Sequence, residues 1–159
     1  MSPTLNFTYE HLRFEGRDIT EEWDILLDVM ARFRVEINET TLYEQDGLPI
    51  VEFAIALNDW LLGDFPAQQD FIADLTEFEE ARWIQFHARG NHQWQLVLAD
   101  SSSEPPVLES EVLEAAVLAY ISVVVRDLKT TFGIEDFPMT TRYIGQAIYI
   151  HNFCARCGS

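Results

Sequence analysis

Ile84-Gln85-Phe86-His87-Ala88-Arg89-Gly90-Asn91-His92-Gln93-Trp94-Gln95-Leu96-Val97-Leu98 decides how the rest of the chain is read. Polar and apolar side chains alternate on either side of Gly90-Asn91-His92, the period-two pattern of half-buried strands. A two-residue Gly-Asn loop would mix polar and apolar residues on both faces. A three-residue loop over Gly90-Asn91-His92 sets Ala88 opposite Trp94, Phe86 opposite Leu96 and Ile84 opposite Leu98. Gln85, His87, Arg89, Gln93 and Gln95 then share the other face. Register follows the burial pattern, so the three-residue loop is expected. The fold is thus anchored by an antiparallel hairpin with one wet face.

Upstream, Leu5, Phe7 and Tyr9 alternate with polar residues, as do Phe33, Val35 and Ile37, so both segments read as strands. A short strand over Leu42–Glu44 completes a second hairpin around Asn38–Thr41. Asp18 has the chemistry of a helix cap, with Glu21 as its capping-box partner. Trp23, Leu26, Leu27 and Met30 would form the apolar side of that helix. Pro49 opens a clearer amphipathic helix carrying Ile50, Phe53, Ala54, Leu57, Trp60 and Leu61, and Gly63 stands where a stop belongs. The acidic stretch from Asp64 to Glu80 contains Pro66 and reads as an irregular connection.

Downstream, Ser101 to Pro106 is a surface loop. A long helix over Ser110–Phe132 follows, stopped by Gly133. Its stripe is Leu113, Ala116, Val117, Tyr120, Val124 and Leu128, thickened by Val112, Ala119 and Val123. Residues 140–153 fit strand and helix equally. Strands and helices are segregated, so the expected class is α+β, an antiparallel sheet of about five strands against two main helices. One domain is expected over residues 1–153, with 154–159 as a tail.

Apolar residues make up 48% of the chain and aromatics 13%, enough for a core and unlike disordered acidic chains. The N-terminus shows no signal-peptide pattern. The apolar run from Ala115 to Val125 is shorter than the about 20 residues a bilayer requires. Cys154 and Cys157 are too close to staple a fold. These features point to the cytoplasm.

The net charge is −17, with ten basic residues against 27 acidic ones. It is regional: residues 15–83 hold 18 carboxylates against four arginines, whereas residues 84–103 are neutral. Asp24/Asp28 and Asp70/Asp74 stand at i,i+4, which on a helix places like charges side by side at a cost. Such a surface repels nucleic acid and anionic lipid, and it attracts a basic protein. The residues expected to contact that partner are Asp24, Asp28, Asp70, Asp74, Glu77 and Glu79. Trp23, ringed by Glu21, Glu22 and Asp24, is the expected apolar anchor.

Motifs for chemistry are sparse. His151, Cys154 and Cys157 offer three ligands where structural zinc wants four, so no metal or other cofactor is expected. Nothing has the spacing of a calcium loop, and Glu77, Glu79 and Glu80 read as a solvated run. Trp60, Trp83, Trp94 and Tyr43 read as core. No glycine-rich phosphate loop, G-x-S-x-G or H-E-x-x-H occurs, so an enzyme is not expected.

Tyr9-Glu10-His11-Leu12-Arg13-Phe14, Glu22-Trp23-Asp24-Ile25-Leu26-Leu27-Asp28-Val29, Leu42-Tyr43-Glu44, Pro49-Ile50-Val51-Glu52-Phe53-Ala54 and Trp60-Leu61 together resemble a family of small uncharacterised bacterial domains. Trp94 and the helix end at Asp127-Leu128 and Phe132-Gly133-Ile134 fit the same family. No activity or catalytic residue comes with it. In size, acidity and lack of a catalytic motif the chain is also similar in type to immunity proteins of polymorphic and contact-dependent toxin systems. That likeness implies a stoichiometric inhibitor of a basic toxin domain. The charge also fits a solvated acidic surface kept for solubility, and two further alternatives remain open. A DNA-mimicking anti-defence inhibitor would carry its acids in duplex-like rows. A ligand-binding module or enzyme would need a deep pocket around His87 and Arg89.

Overall fold

The computed structural model describes residues 3–16, 25, 27–75, 78, 82–99, 101 and 104–134. The elements in chain order are β1 (Leu5–Phe14), β2 (Val29–Ile37), β3 (Thr40–Pro49), α1 (Ile50–Leu62), β4 (Phe71–Ile72), β5 (Ile84–Gly90), β6 (Gln93–Leu98), β7 (Val107–Glu109) and α2 (Ser110–Phe132). The class is α+β with two main helices. The strands divide into two antiparallel sheets, ordered β1-β2-β3 and β4-β5-β6-β7. The Asp18 cap, residues 140–153, the tail 154–159 and the His151, Cys154 and Cys157 trio lie outside the described residues.

The hairpin that anchored the sequence reading has the expected register: Ile84 pairs with Leu98, Phe86 with Leu96 and Ala88 with Trp94. The loop is built differently. Asn91 and His92, at φ 53° and 57°, make a two-residue turn of the left-handed kind that suits hairpin twist. Gly90 pairs with Gln93, and the extra residue, Arg89, is absorbed as a bulge between Ala88 and Gly90. The first hairpin turns at Asn38 and Glu39 by the same device, at φ 52° and 69°.

Met30 belongs to β2, not to a preceding helix. It sits opposite Arg13 on one side and Pro49 on the other, next to buried Val29, where the strand begins. Pro49 ends β3 and is also the N-cap of α1. Gly63 stays right-handed at φ −105°, because the chain turns on through residues 63–68 instead of stopping. There Trp60 Nε1 donates to the Gln69 carbonyl at 2.9 Å. At the end of α2 Gly133 is left-handed at φ 68°. Its N–H and that of Ile134 close on Lys129 and Leu128, satisfying carbonyls the helix would leave unpaired. The α2 stripe is buried as expected, but Ala119 is exposed and Ile121 takes its place in the core.

The core is aromatic, and it joins all layers. Phe7 stacks on Phe86 across the two sheets at 6.1 Å. Phe33 meets Phe53 of α1, Trp83 and Tyr120 of α2 at 5.4, 5.5 and 5.7 Å. Each fully buried ring of this kind contributes roughly 1.5–3 kcal/mol from burial alone. Trp60 packs on Phe71, Phe86 and Trp94, so the four tryptophan and tyrosine residues read as core are core. Tyr120 Oη donates to the Ile50 carbonyl at 2.7 Å, fixing α2 to the start of α1. Burial drives that phenol's pKa well up. Trp83 Nε1 is buried with no hydrogen-bond acceptor among the described residues, a cost the surrounding packing carries.

Candidate functional site

Each sheet turns one face to the core and one outward, and the two outward faces differ. On β1-β2-β3 the outward positions pair as Thr8–Arg34, Glu10–Arg32 and Arg34–Glu44. Cross-strand neighbours of opposite sign attract, and here they interlock. Arg34 reaches Glu10 at 2.6 Å and Glu44 at 3.0 Å, and Arg32 bonds Glu44 as well. Arg13 bridges Glu15 at 2.9 Å and Asp46 at 3.0 Å. Hydrogen bonds from Arg32 and then Arg34 hold the Glu44 carboxyl below its usual range, and Arg13 with the Gly47 N–H does the same for Asp46. Three arginines thus answer four carboxylates.

On β4-β5-β6-β7 the outward row runs Ile72, Gln85 and Val97, then His87, Gln95 and Val107, then Gln93 and Glu109. Ile72 and Val107, 41% and 45% exposed, are the exposed large hydrophobics of the described chain. Both stand on this face, one on each edge strand.

Two expected contact residues join the same face. Asp70 and Asp74 are not on a helix: they flank the Phe71–Ile72 strand in an extended segment. Asp70, Ile72 and Asp74 point outward, while Phe71, Ala73 and Leu75 are buried. The like charges therefore stand apart instead of crowding one helical face. Asp70 is pinned: Oδ2 lies 2.9 Å from His87 Nδ1, and Oδ1 accepts from the Ala88 N–H at 2.8 Å. Partial desolvation pushes its carboxyl up, but the His87 and Ala88 hydrogen bonds prevail and hold it below its usual value. Asp74 is exposed and enters no ion pair among the described residues.

Asp28 lies elsewhere, half-buried ahead of β2, where its carbonyl accepts from the Glu15 N–H at 2.9 Å. Trp23, Asp24, Glu77 and Glu79 lie outside the described residues. What the sequence reading missed is Ile72, Val107 and Glu109.

His87 has the start of an acid–base pair, a ring nitrogen oriented by a carboxylate. Its Nε2, however, meets Gln85 Oε1 at 3.0 Å, while Gln85 Nε2 donates back to the Arg82 carbonyl at 3.3 Å. Both ring nitrogens are occupied, and neither faces a nucleophile or an open cleft. Arg89 is likewise engaged, donating to Gln95 at 3.1 Å. Among the described residues, no group of three or more His, Cys, Asp or Glu is placed to hold a metal ion. None of their helices is long and apolar enough to cross a membrane.

A family model described as a domain of unknown function, DUF7878, matches residues 5–130. The chain belongs to the DUF7878 family. The match spans both sheets, α1 and nearly all of α2, so the outward face of the second sheet lies within the DUF7878 domain. No curated protein and no solved structure matches the chain.

Proposed function

We propose that this DUF7878 protein is a non-enzymatic binding protein that engages a basic protein partner through the outward face of its second sheet, in the manner of a toxin-neutralising immunity protein. The carrying observation is that exposed hydrophobics and acids outside any ion pair among the described residues stand together on one face. The first sheet spends its arginines on its own carboxylates. The second keeps exposed acids at both edges, Asp74 and Glu109, around the only two large hydrophobics exposed on the described surface. Apolar contact at the centre with charge at the rim is how protein interfaces are organised. Rim charges of one sign speed encounter with a partner of the other. The occupied nitrogens of His87 argue against a catalytic use of the same face.

The test is affinity capture from a native lysate at low salt, with wild-type bait, an Ile72→Arg/Val107→Arg bait, and an Arg34→Met control from the first sheet. One basic protein, retained in one-to-one ratio by wild type and control, released by high salt and lost on the double variant, is the expected result. Its expression alone should arrest growth, and co-expression of this chain should relieve the arrest. A captured DNA-binding protein displaced by duplex DNA would favour the DNA-mimic reading. Capture unaffected by the double variant would refute the assignment of this face.

A further inference from the structure

Between the first hairpin and β6 the structure holds a cavity of about 340 Å³. Ile37 and Leu42 form one wall, Leu96 and Leu98 the opposite one, and Pro105 and Pro106 a third. We infer that this cavity is a binding site for a small amphiphilic amine, its hydrocarbon body between these walls and its ammonium group on Glu104.

Three properties carry this. The volume falls in the range of small-molecule sites, roughly 300–1,000 Å³. The walls are held before any ligand arrives: Ile37 and Leu42 stand on paired strands, Leu96 and Leu98 are 1% and 8% exposed, and the two prolines have fixed φ. Little ordering is left to oppose binding. The third property is sign. Among the described residues lining the cavity Glu104 is the ionisable one, and Ser101 supplies a second polar side chain. An ammonium donates to both, and a charge-assisted hydrogen bond is about twice as strong as a neutral one. A carboxylate in the same place would meet Glu104 and the field of a chain carrying −17. A cavity with one charged lip selects a small molecule with one charged end. The cavity meets the outward face of the second sheet at Val97, which lines both, but Ile72, Asp74 and Glu109 do not line it, so amine binding is tested without the partner proposed above.

Carbon-13 methyl NMR of the full chain, titrated with hexylammonium, hexanol and hexanoate, tests it. Saturable shifts of the Ile37, Leu42 and Leu98 methyls are expected, with hexylammonium bound at least about tenfold tighter than hexanoate. Glu104→Gln, an exposed change that leaves the fold alone, should abolish that preference and leave hexanol binding unchanged. Three results would overturn the inference: no saturable shift with any of the three, equal affinities for all three, or shifts produced by a basic apolar peptide such as Lys-Leu-Lys and not by the amine.

Discussion

The two sheets share one aromatic core yet turn opposite kinds of surface to solvent. The outward face of β1-β2-β3 is a lattice of ion pairs in which Arg13, Arg32 and Arg34 answer Glu10, Glu15, Glu44 and Asp46. The outward face of β4-β5-β6-β7 is glutamine-rich, apolar at Ile72 and Val107, and acidic at its edges. Composition puts the acid excess in the first half of the chain. Folding redistributes it, because a carboxylate beside an arginine presents little net field while one at an unpaired edge presents all of its own. Net charge is therefore a statement about partners only after the pairs are subtracted.

The largest expected effect breaks what the two faces have in common. Phe33→Ala empties the point where β2, α1, Trp83 and α2 meet, and should cost about 3–5 kcal/mol of stability. Denaturant unfolding checks this, and one cooperative loss of signal from both sheets is expected. Two separate transitions would show that the sheets do not share a core.

The next sharpens the contrast between the faces. Asp74→Lys with Glu109→Lys should slow association with the proposed basic partner about tenfold or more at low salt, and flatten its salt dependence. Stopped-flow kinetics across an ionic-strength series measures both. The matched change Glu10→Lys on the first sheet should leave the rate within about twofold, since rim charge matters where the partner docks.

A smaller effect probes the lattice itself. A double-mutant cycle on Arg34→Met and Glu44→Gln should return a small favourable coupling that shrinks with added salt. A zero coupling would mean that the Arg34 contact does not hold Glu44.

The smallest concerns Asp70. Its folded pKa lies below the unfolded one, so its contribution is fully present above the unfolded value and is lost as pH falls through the folded value. For an exposed pair the amount is about 1 kcal/mol or less. Asp70→Asn should lower the melting temperature at pH 7 and leave it unchanged at pH 2. The reverse pattern would mean that the His87 and Ala88 bonds do not favour the carboxylate.

The long helix and the β5–β6 register were legible because each rests on many residues. A stripe over 23 residues with a left-handed glycine behind it leaves little choice of boundary, and slipping the hairpin by one residue would bury Gln85 and Gln95. Strands β4 and β7 were not legible. At two and three residues they exist only because β5 and β6 offer them an edge. Asp70 and Asp74 misled for a related reason. Their spacing suits a helix, and the alternation of buried Phe71, Ala73 and Leu75 is disguised by Ile72 on the exposed side. That exposed isoleucine, an obstacle to reading the strand, is also part of the candidate surface. The arginine lattice was half visible, since the alternation of Phe33 and Val35 already sent Arg34 and Glu36 outward. Its partners on β1 and β3 needed the register.

The central claim is that a polycation docks on the outward face of the second sheet, where exposed hydrophobics and acids outside any ion pair among the described residues stand together, and not on that of the first. The most direct measurement is a backbone-amide NMR titration of the full chain with tetralysine at low salt, read residue by residue. Shifts that saturate at Ile72, Asp74, Val107 and Glu109, with Thr8, Glu10, Arg34 and Glu44 unmoved, are the predicted result. Perturbations spread evenly over both faces, or centred on Glu10 and Glu44, would contradict it.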